Sequence, residues 1–215
     1  MISLIIPAYN EEKYILSTLA SISKQSYKDV EIILVSDAST DATVRLASPS
    51  VDTLLEMKSR KGPAFARNLG ARVSKGEVLV FLDADTQLSP GVLSLIAEKT
   101  SDHMVGSCKI RPDSSRLKHR FFWSIKNIFC QTFGVSNGII FCTRKTFFAF
   151  DMFPLMKGED GSFIRKVRRE GKYLVLNAYV ISSVRRYEQK GYFAIWWFWL
   201  KEYFRPSPDV YEAVR

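Results

Sequence analysis

Val78-Leu79-Val80-Phe81-Leu82-Asp83-Ala84-Asp85 runs five apolar residues straight into two carboxylates separated by an alanine. A short, uninterrupted apolar run of this kind reads as a strand covered on both faces, as in parallel sheets. With Glu77 it defines a strand over 77–82. In an open parallel sheet, ligands gather outside the carboxyl ends of the strands. The two aspartates therefore stand where such a sheet binds its ligands.

On either side of this run, short β-rich stretches alternate with amphipathic ones. Residues 2–6, 31–36 and 52–57 read as strands, and Ile15, Leu19 and Ile22 recur at helical spacing between the first two. Residues 62–73 read as a helix, and Pro90-Gly91 opens another that runs to about Lys99. This alternation predicts an α/β fold, a doubly wound parallel sheet with right-handed crossovers. Functional residues should then cluster just after strands, and 7–11, 37–41 and 83–85 all do. The second half is less regular. It offers a strand over 136–142, a basic helix over 160–170, one or two strands within 173–183, and an aromatic segment at 191–204 closed by Pro206 and Pro208.

A chain of 215 residues, 47% of them apolar and without linker, repeat or low-complexity tract, reads as one large domain. Its first seven residues carry no basic leader and read as a strand rather than a signal peptide. Cys108, Cys130 and Cys142 are odd in number and lack metal-ligand spacing, which predicts buried reduced thiols and a cytoplasmic setting. His103 and His119 show no visible partner and take no chemical role. The net charge of +9, with basic residues concentrated at 109–120, 165–169 and 185–186, suits a polyanionic partner. A phosphorylated ligand, nucleic acid or an anionic lipid surface would each answer it, and so would a basic surface without a partner. No nucleic-acid-binding motif is present, so that partner is set aside.

Several constellations carry chemistry. Asp83 and Asp85 can face one point directly or through water. Mg²⁺ and Mn²⁺ often take only one or two protein carboxylates and complete their shells with phosphate and water. A metal there neutralises charge on a diphosphate leaving group; a solvated acidic turn is the plainer alternative. Pro7-Ala8-Tyr9-Asn10-Glu11-Glu12 brings an aromatic ring and hydrogen-bonding groups suited to a base and ribose. It also reads as a helix start capped by Asn10. Asp37 offers a carboxylate to a base N–H, with a turn and cap at Asp41 as the alternative. Gly62 lets the backbone approach a ligand at a helix start, where phosphate is favoured. Arg67 either reaches a diphosphate, orients Asp85 or decorates a surface helix with Arg72.

Five stretches, in order, resemble family 2 glycosyltransferases of the GT-A fold. They are Ile5-Ile6-Pro7-Ala8-Tyr9-Asn10-Glu11-Glu12, Val35-Ser36-Asp37-Ala38-Ser39-Thr40-Asp41, Gly62-Pro63-Ala64-Phe65-Ala66-Arg67-Asn68, Phe81-Leu82-Asp83-Ala84-Asp85 and Gly158-Glu159-Asp160. The resemblance spans residues 2 to about 187. It implies a Rossmann-like, mostly parallel sheet with helices on both faces, in one GT-A domain over 1–215. Residues 1–100 would be the nucleotide-binding half, 101–187 a smaller acceptor-side half and 188–215 an aromatic C-terminal segment.

The resemblance also implies an activity: inverting transfer of a hexosyl group from a nucleoside-diphosphate sugar, with Mg²⁺ or Mn²⁺, to an acceptor hydroxyl or phosphate. Pro7, Ala8, Tyr9 and Glu11 would line the nucleoside pocket, with Asp37 on the base and Gly62, Arg67 and Ala84 along the bound nucleotide sugar. Asp83 would contact ribose or, through water, the metal, and Asp85 would ligate the metal. Asp160, beside Glu159, would be the base that deprotonates the acceptor. Asn137-Gly138 would form an acceptor-side turn. Arg185 and Arg186 would stabilise the departing diphosphate, or else ion-pair on a surface strand.

The chain departs from the family at two places. Arg60-Lys61 precedes the glycine where a smaller polar residue is usual, and Ser183-Val184-Arg185-Arg186-Tyr187 only partly matches the Q-x-x-R-W of processive relatives, which argues against polymer synthesis. Phe193-Ala194-Ile195-Trp196-Trp197-Phe198-Trp199-Leu200 is too short to span a bilayer. Its tryptophans, flanked by basic residues, suit an interfacial anchor. Phe121-Phe122-Trp123, beside Lys118 and Arg120, is a second such stretch. These features predict peripheral contact with an anionic membrane at its cytoplasmic face and make a lipid-linked acceptor natural; core packing or a homodimer face is the alternative. The competing functional reading is a non-catalytic nucleotide- or membrane-binding protein on the same fold. A nucleotidyltransferase would want a glycine-rich basic loop after the first strand, where 7–12 is acidic instead.

Overall fold

The computed structural model describes residues 1–195, 197 and 201. Trp196, Phe198, Trp199, Leu200, Pro206 and Pro208, which complete the aromatic segment, lie outside the described residues.

Strand β1 (Ile2–Ala8) is apolar at almost every position because both its faces are covered. Strand β2 (Val30–Ser36) lies parallel to it on one side, with β3 (Thr53–Glu56) parallel beyond β2. Strand β4 (Val78–Leu82) lies parallel on the other side, so that Leu4 aligns with both Ile32 and Val80. Helices α1 (Ile15–Ser23), α2 (Thr43–Ala47) and α3 (Pro63–Val73) make the crossovers.

Beyond β4 the sheet changes character. The short β5 (Thr86–Leu88) follows after a turn too tight for a parallel crossover, then come α4 (Val92–Lys99) and β6 (Met104–Pro112). Helix α5 (Leu117–Phe133) leads to β7 (Ile139–Thr143), which returns antiparallel beside β4. Helices α6 (Arg144–Ala149) and α7 (Glu159–Glu170) precede β8 (Lys172–Ser182), and α8 (Arg185–Lys190) follows it. The eight strands run in the order β3-β2-β1-β4-β7-β6-β8-β5. The expected parallel sheet is thus a mixed one: β3 to β4 and the β6–β8 pair are parallel, and antiparallel pairings join the rest. Residues 173–183 hold one strand rather than two. Helix α5 and strand β6 were not expected from the sequence.

Side chains alternate across the sheet into two cores. Leu4, Ile6, Val80 and Leu82 face Ile15, Leu19, Ile22 and Trp123 on one side. Ile5, Leu79 and Phe81 face Ala64, Ala66, Phe147 and Phe163 on the other. Helix α3 comes close at Gly70, where a Cβ would stand 2.5 Å from Ile5 Cγ2. All three cysteines are buried and unpaired. His119 departs from its reading as a residue without a partner: it is buried and its Nδ1 pairs with the Tyr192 hydroxyl.

Candidate active site

The carboxyl ends of β1, β2 and β4 meet the start of β7 and the first turns of α7 and α8 around a cleft of about 220 Å³. Of the residues given a role on the nucleotide sugar, the metal, the diphosphate or the acceptor, all but Gly62 and Asn137 line it.

Asp83 and Asp85 leave β4 together, but different cations answer them. Arg67, on the first turns of α3, donates from Nη2 to Asp83 Oδ1 (2.7 Å) and from Nη1 to Glu159 Oε1 (2.6 Å). It therefore neither orients Asp85 nor decorates a surface; it is only 9% exposed, because the start of α3 faces the end of β4. Burial pushes the Glu159 carboxyl up to about 7, against the pull of Arg67 and with help from neighbouring Asp160. The two carboxylates hold the Arg67 guanidinium firmly charged.

Asp85 is also pushed up, first by burial and then by Asp83. Arg185 lies 3.1 Å from its Oδ2 and donates to Glu11 Oε1 at 2.5 Å, with its guanidinium 4.5 Å above the Tyr14 ring. Arg185 and Arg186 sit on the first turn of α8, which removes the alternative of ion pairing on a surface strand. The chain bends into a helix after Ser182, so both cations turn back over the cleft. Glu11 is raised by burial ahead of the pull of Arg185, and its Oε2 is buried without a hydrogen-bond partner.

Loops at the mouth brace one another. Asn10, at φ 54°, accepts from Thr40 N at 2.8 Å and does not cap α1, which begins at Ile15. Asp41 accepts from Thr43 N at 2.9 Å, at the start of α2. Asp37 accepts from Lys61 N (2.7 Å) and Gly62 N (2.8 Å), anchoring the loop before α3. Gly62, at φ 90°, makes that turn instead of lining the cleft, since its N–H points to Asp37. The same loop carries Arg60 over the Tyr9 ring at 4.3 Å, which gives the unusual Arg60 a place in the site.

Asp160 Oδ2 accepts from the Ser136 hydroxyl and Oδ1 from Gly161 N at 2.7 Å. Gly138, at φ 79°, accepts from Asp83 N at 3.0 Å; a Cβ there would stand 2.7 Å from Thr86 Oγ1. Asn137 is not on the acceptor side. It is fully buried, accepting from Cys130 Sγ (2.9 Å) and donating to Cys108 O (3.0 Å), and so fastens α5 to β6. Lys126, Ser136 and Tyr187 also line the cleft without having been given a role. Lys126 belongs to an element with no sequence signal, whereas Ser136 directly precedes the Asn-Gly pair and Tyr187 closes the partial match to Q-x-x-R-W.

Among the described residues no group of three or more His, Cys, Asp or Glu forms a ready metal cage. The donor set nonetheless fits a hard divalent cation. Asp83 and the half-buried Asp85, with the unpartnered Glu11 Oε2 beside them, put more carboxylate oxygens at the end of β4 than Arg185 answers and suit a cation that completes its shell with phosphate oxygens.

A parallel half-sheet with paired carboxylates at one strand end, closed by a mixed half bearing a third, is the architecture of GT-A glycosyltransferases. Solved members of that class superpose on it. Staphylococcus aureus TarS, in complex with UDP-GlcNAc, is similar over 85% of this chain and 58% of its own, with a TM-score of 0.67 and 24% identity. The mannosyltransferase PcManGT from Pyrobaculum calidifontis, in complex with GDP-Man and Mn²⁺, is similar over 85% and 56%, with a TM-score of 0.69 and 23% identity. At these identities the likeness establishes the fold. The chain belongs to glycosyl transferase family 2, whose sequence profile matches residues 3–159. A Campylobacter jejuni relative, GalNAc(5)-diNAcBac-PP-undecaprenol beta-1,3-glucosyltransferase, is 29% identical over 126 residues, which are 54% of this chain and 41% of the relative. The chain matches between 36% and 41% of the length of the first such relatives.

Proposed function

We propose that this protein is an inverting, metal-dependent glycosyltransferase that moves a sugar from a nucleoside-diphosphate donor to a lipid-linked acceptor. One observation carries the reading: a single cleft is lined both by the carboxylates at the end of β4 and by a separate carboxylate, Asp160, at the start of α7. In this reading the two halves, 1–100 and 101–187, work as one catalytic unit. Tyr9 and Asp37, with Pro7 and Ala8 beneath them, hold the nucleoside. Asp85, with Asp83, holds Mg²⁺ or Mn²⁺, which when bound neutralises charge on the diphosphate. Arg185 and Arg186 add donors where negative charge develops on the leaving group. Asp160, held by the Ser136 hydroxyl, takes the proton of the acceptor as it attacks from the face opposite the diphosphate, which inverts the anomeric centre. Glu159 keeps Arg67 in place and so sets the position of Asp83.

The TarS and PcManGT complexes support a nucleotide-sugar donor and a metal, and the undecaprenol-linked acceptor of the C. jejuni relative supports a lipid-linked one. Unpaired buried thiols suit a cytoplasmic setting. The test is thermal stabilisation by a panel of nucleoside diphosphates, with and without Mn²⁺ or Mg²⁺. A ligand that binds only the folded state must raise the melting temperature. Stabilisation by one nucleotide that needs metal and disappears in Asp85→Ala is expected. Absence of stabilisation by every nucleotide at millimolar concentration would refute the reading.

A further inference from the structure

We propose that the face formed by α5 and the helical turn at 192–195 docks on an anionic lipid surface. The proposal extends the lipid-linked acceptor reading to the way such an acceptor is reached.

The face is apolar where a solvated helix would be polar. Helix α5 buries His119, Trp123 and Cys130 on one side. On its outer side it exposes Leu117 (79%), Phe121 (63%) and Ile128 (65%), residues spaced to share a helix face. Phe122 stacks on Tyr192 at 4.0 Å, and the Tyr192 hydroxyl pairs with His119. These contacts fix the 192–195 turn against α5, so that exposed Phe121 and Phe193 (82%) flank the same seam. A contiguous exposed apolar patch marks a contact with a partner or a membrane.

Charge selects the partner. Across 114–134 and 184–201 the sequence holds a single acidic residue, Glu188, and Arg116 and His119 already contact it. Lys118, Arg120, Lys190 and Lys201 are exposed around the apolar residues. Aromatic and aliphatic side chains ringed by cations, with almost no acid, match the pattern of an interfacial helix on anionic lipid. A second copy of the chain fits poorly, because a two-fold contact through this patch would set one cationic rim against the other. No helix among the described residues is long and apolar enough to cross a membrane. The same helix reaches the site from its other side: Lys126, on the face of α5 that buries Trp123 and Cys130, lines the cleft together with Tyr187 of α8.

The test uses the full chain with vesicles of phosphatidylcholine alone or mixed with phosphatidylglycerol, read by co-sedimentation. Wild type, Phe121→Glu/Phe193→Glu and Lys118→Glu/Arg120→Glu are compared, and stabilisation by nucleoside diphosphate is measured in parallel. The wild type should bind the anionic vesicles at least about tenfold more tightly than neutral ones, an advantage that falls as salt screens it. Each double variant should lose at least about tenfold of that binding and keep its nucleotide response, which shows that the fold is intact. Wild-type indifference to anionic lipid, or variants that bind as well as wild type, would overturn the proposal. So would a dimer in sedimentation equilibrium that Phe121→Glu/Phe193→Glu dissolves without any lipid binding. Vesicle binding without any nucleotide stabilisation in the wild type would support this surface while refuting the donor-site reading.

Discussion

Arg185 reaches back from α8 to place Nη2 3.1 Å from Asp85 Oδ2, so a cation from the end of the sheet stands beside the carboxylate that the first half contributes. The contact draws on the last strand connection to finish a site begun at β4. It also sets two demands on Arg185, which answers Asp85 and Glu11 here and, in the proposed reaction, faces the diphosphate of the donor.

Arg185→Ala should therefore separate metal from nucleotide. Without its cation the cluster of Asp83, Asp85 and Glu11 attracts Mn²⁺ more strongly, and we expect metal affinity in the absence of nucleotide to rise about tenfold. Nucleoside-diphosphate affinity should fall about tenfold, each change corresponding to roughly 1.4 kcal/mol. Manganese titration followed by electron paramagnetic resonance, with and without nucleotide, reads both; a parallel fall in both affinities would contradict the expectation.

Arg67→Ala should unfold the site rather than merely slow it. The substitution leaves Glu159 and Asp83 facing each other with no cation between them, and removing one member of a buried pair costs about 3–5 kcal/mol. Urea unfolding should show a loss near the lower end, since Asp83 is 40% exposed. Arg67→Lys should recover only part of it, because a single ammonium cannot make both contacts of the planar fork.

Stability should decline as pH rises from about 4.5 to about 7, the interval between the ordinary and the native value for Glu159. The sign follows from proton binding. A carboxyl whose native value is raised holds its proton in the folded state where the unfolded state has lost it, so each step up in pH through that window favours unfolding. Urea midpoints measured across this range should flatten in Glu159→Gln. An unchanged slope in the variant would assign the decline to another group.

Asp160→Asn keeps the shape of the side chain and removes the proposed base. Turnover should fall by about 10²- to 10⁴-fold while metal-dependent stabilisation by nucleotide stays at the wild-type level. Retained turnover would move the proton-accepting role elsewhere.

The donor side of this site was largely legible because β1, β2 and β4 are buried on both faces. Runs such as Leu4-Ile5-Ile6 and Val78 to Leu82 therefore announce themselves, and the polar residues after them fall into place. Helix α5 was not legible. Phe121, Phe122 and Trp123 are consecutive, and Leu117 and Ile128 are apolar yet exposed, so its composition hides the helical period. Asn137 looked like a turn residue because a glycine follows it; only contacts with Cys130 and Cys108, 7 and 29 residues away, reveal its structural role. The direction of Arg185 depended on whether the chain after β8 continued as strand or coiled into α8, a choice the basic pair itself does not make.

The antiparallel pairing of β4 with β7 has a consequence for how the cleft is held open. Leu82 pairs with Ile139, so one strand leaves toward Asp83 and Asp85 at the point where the other arrives beside Gly138. Five residue pairs tie the two strands, in a register whose shift by one position would turn every β7 side chain to the wrong face. A slip in that short seam would therefore displace the carboxylates and the Gly138 turn together, so the cleft inherits its dimensions from a strand register rather than from its loops.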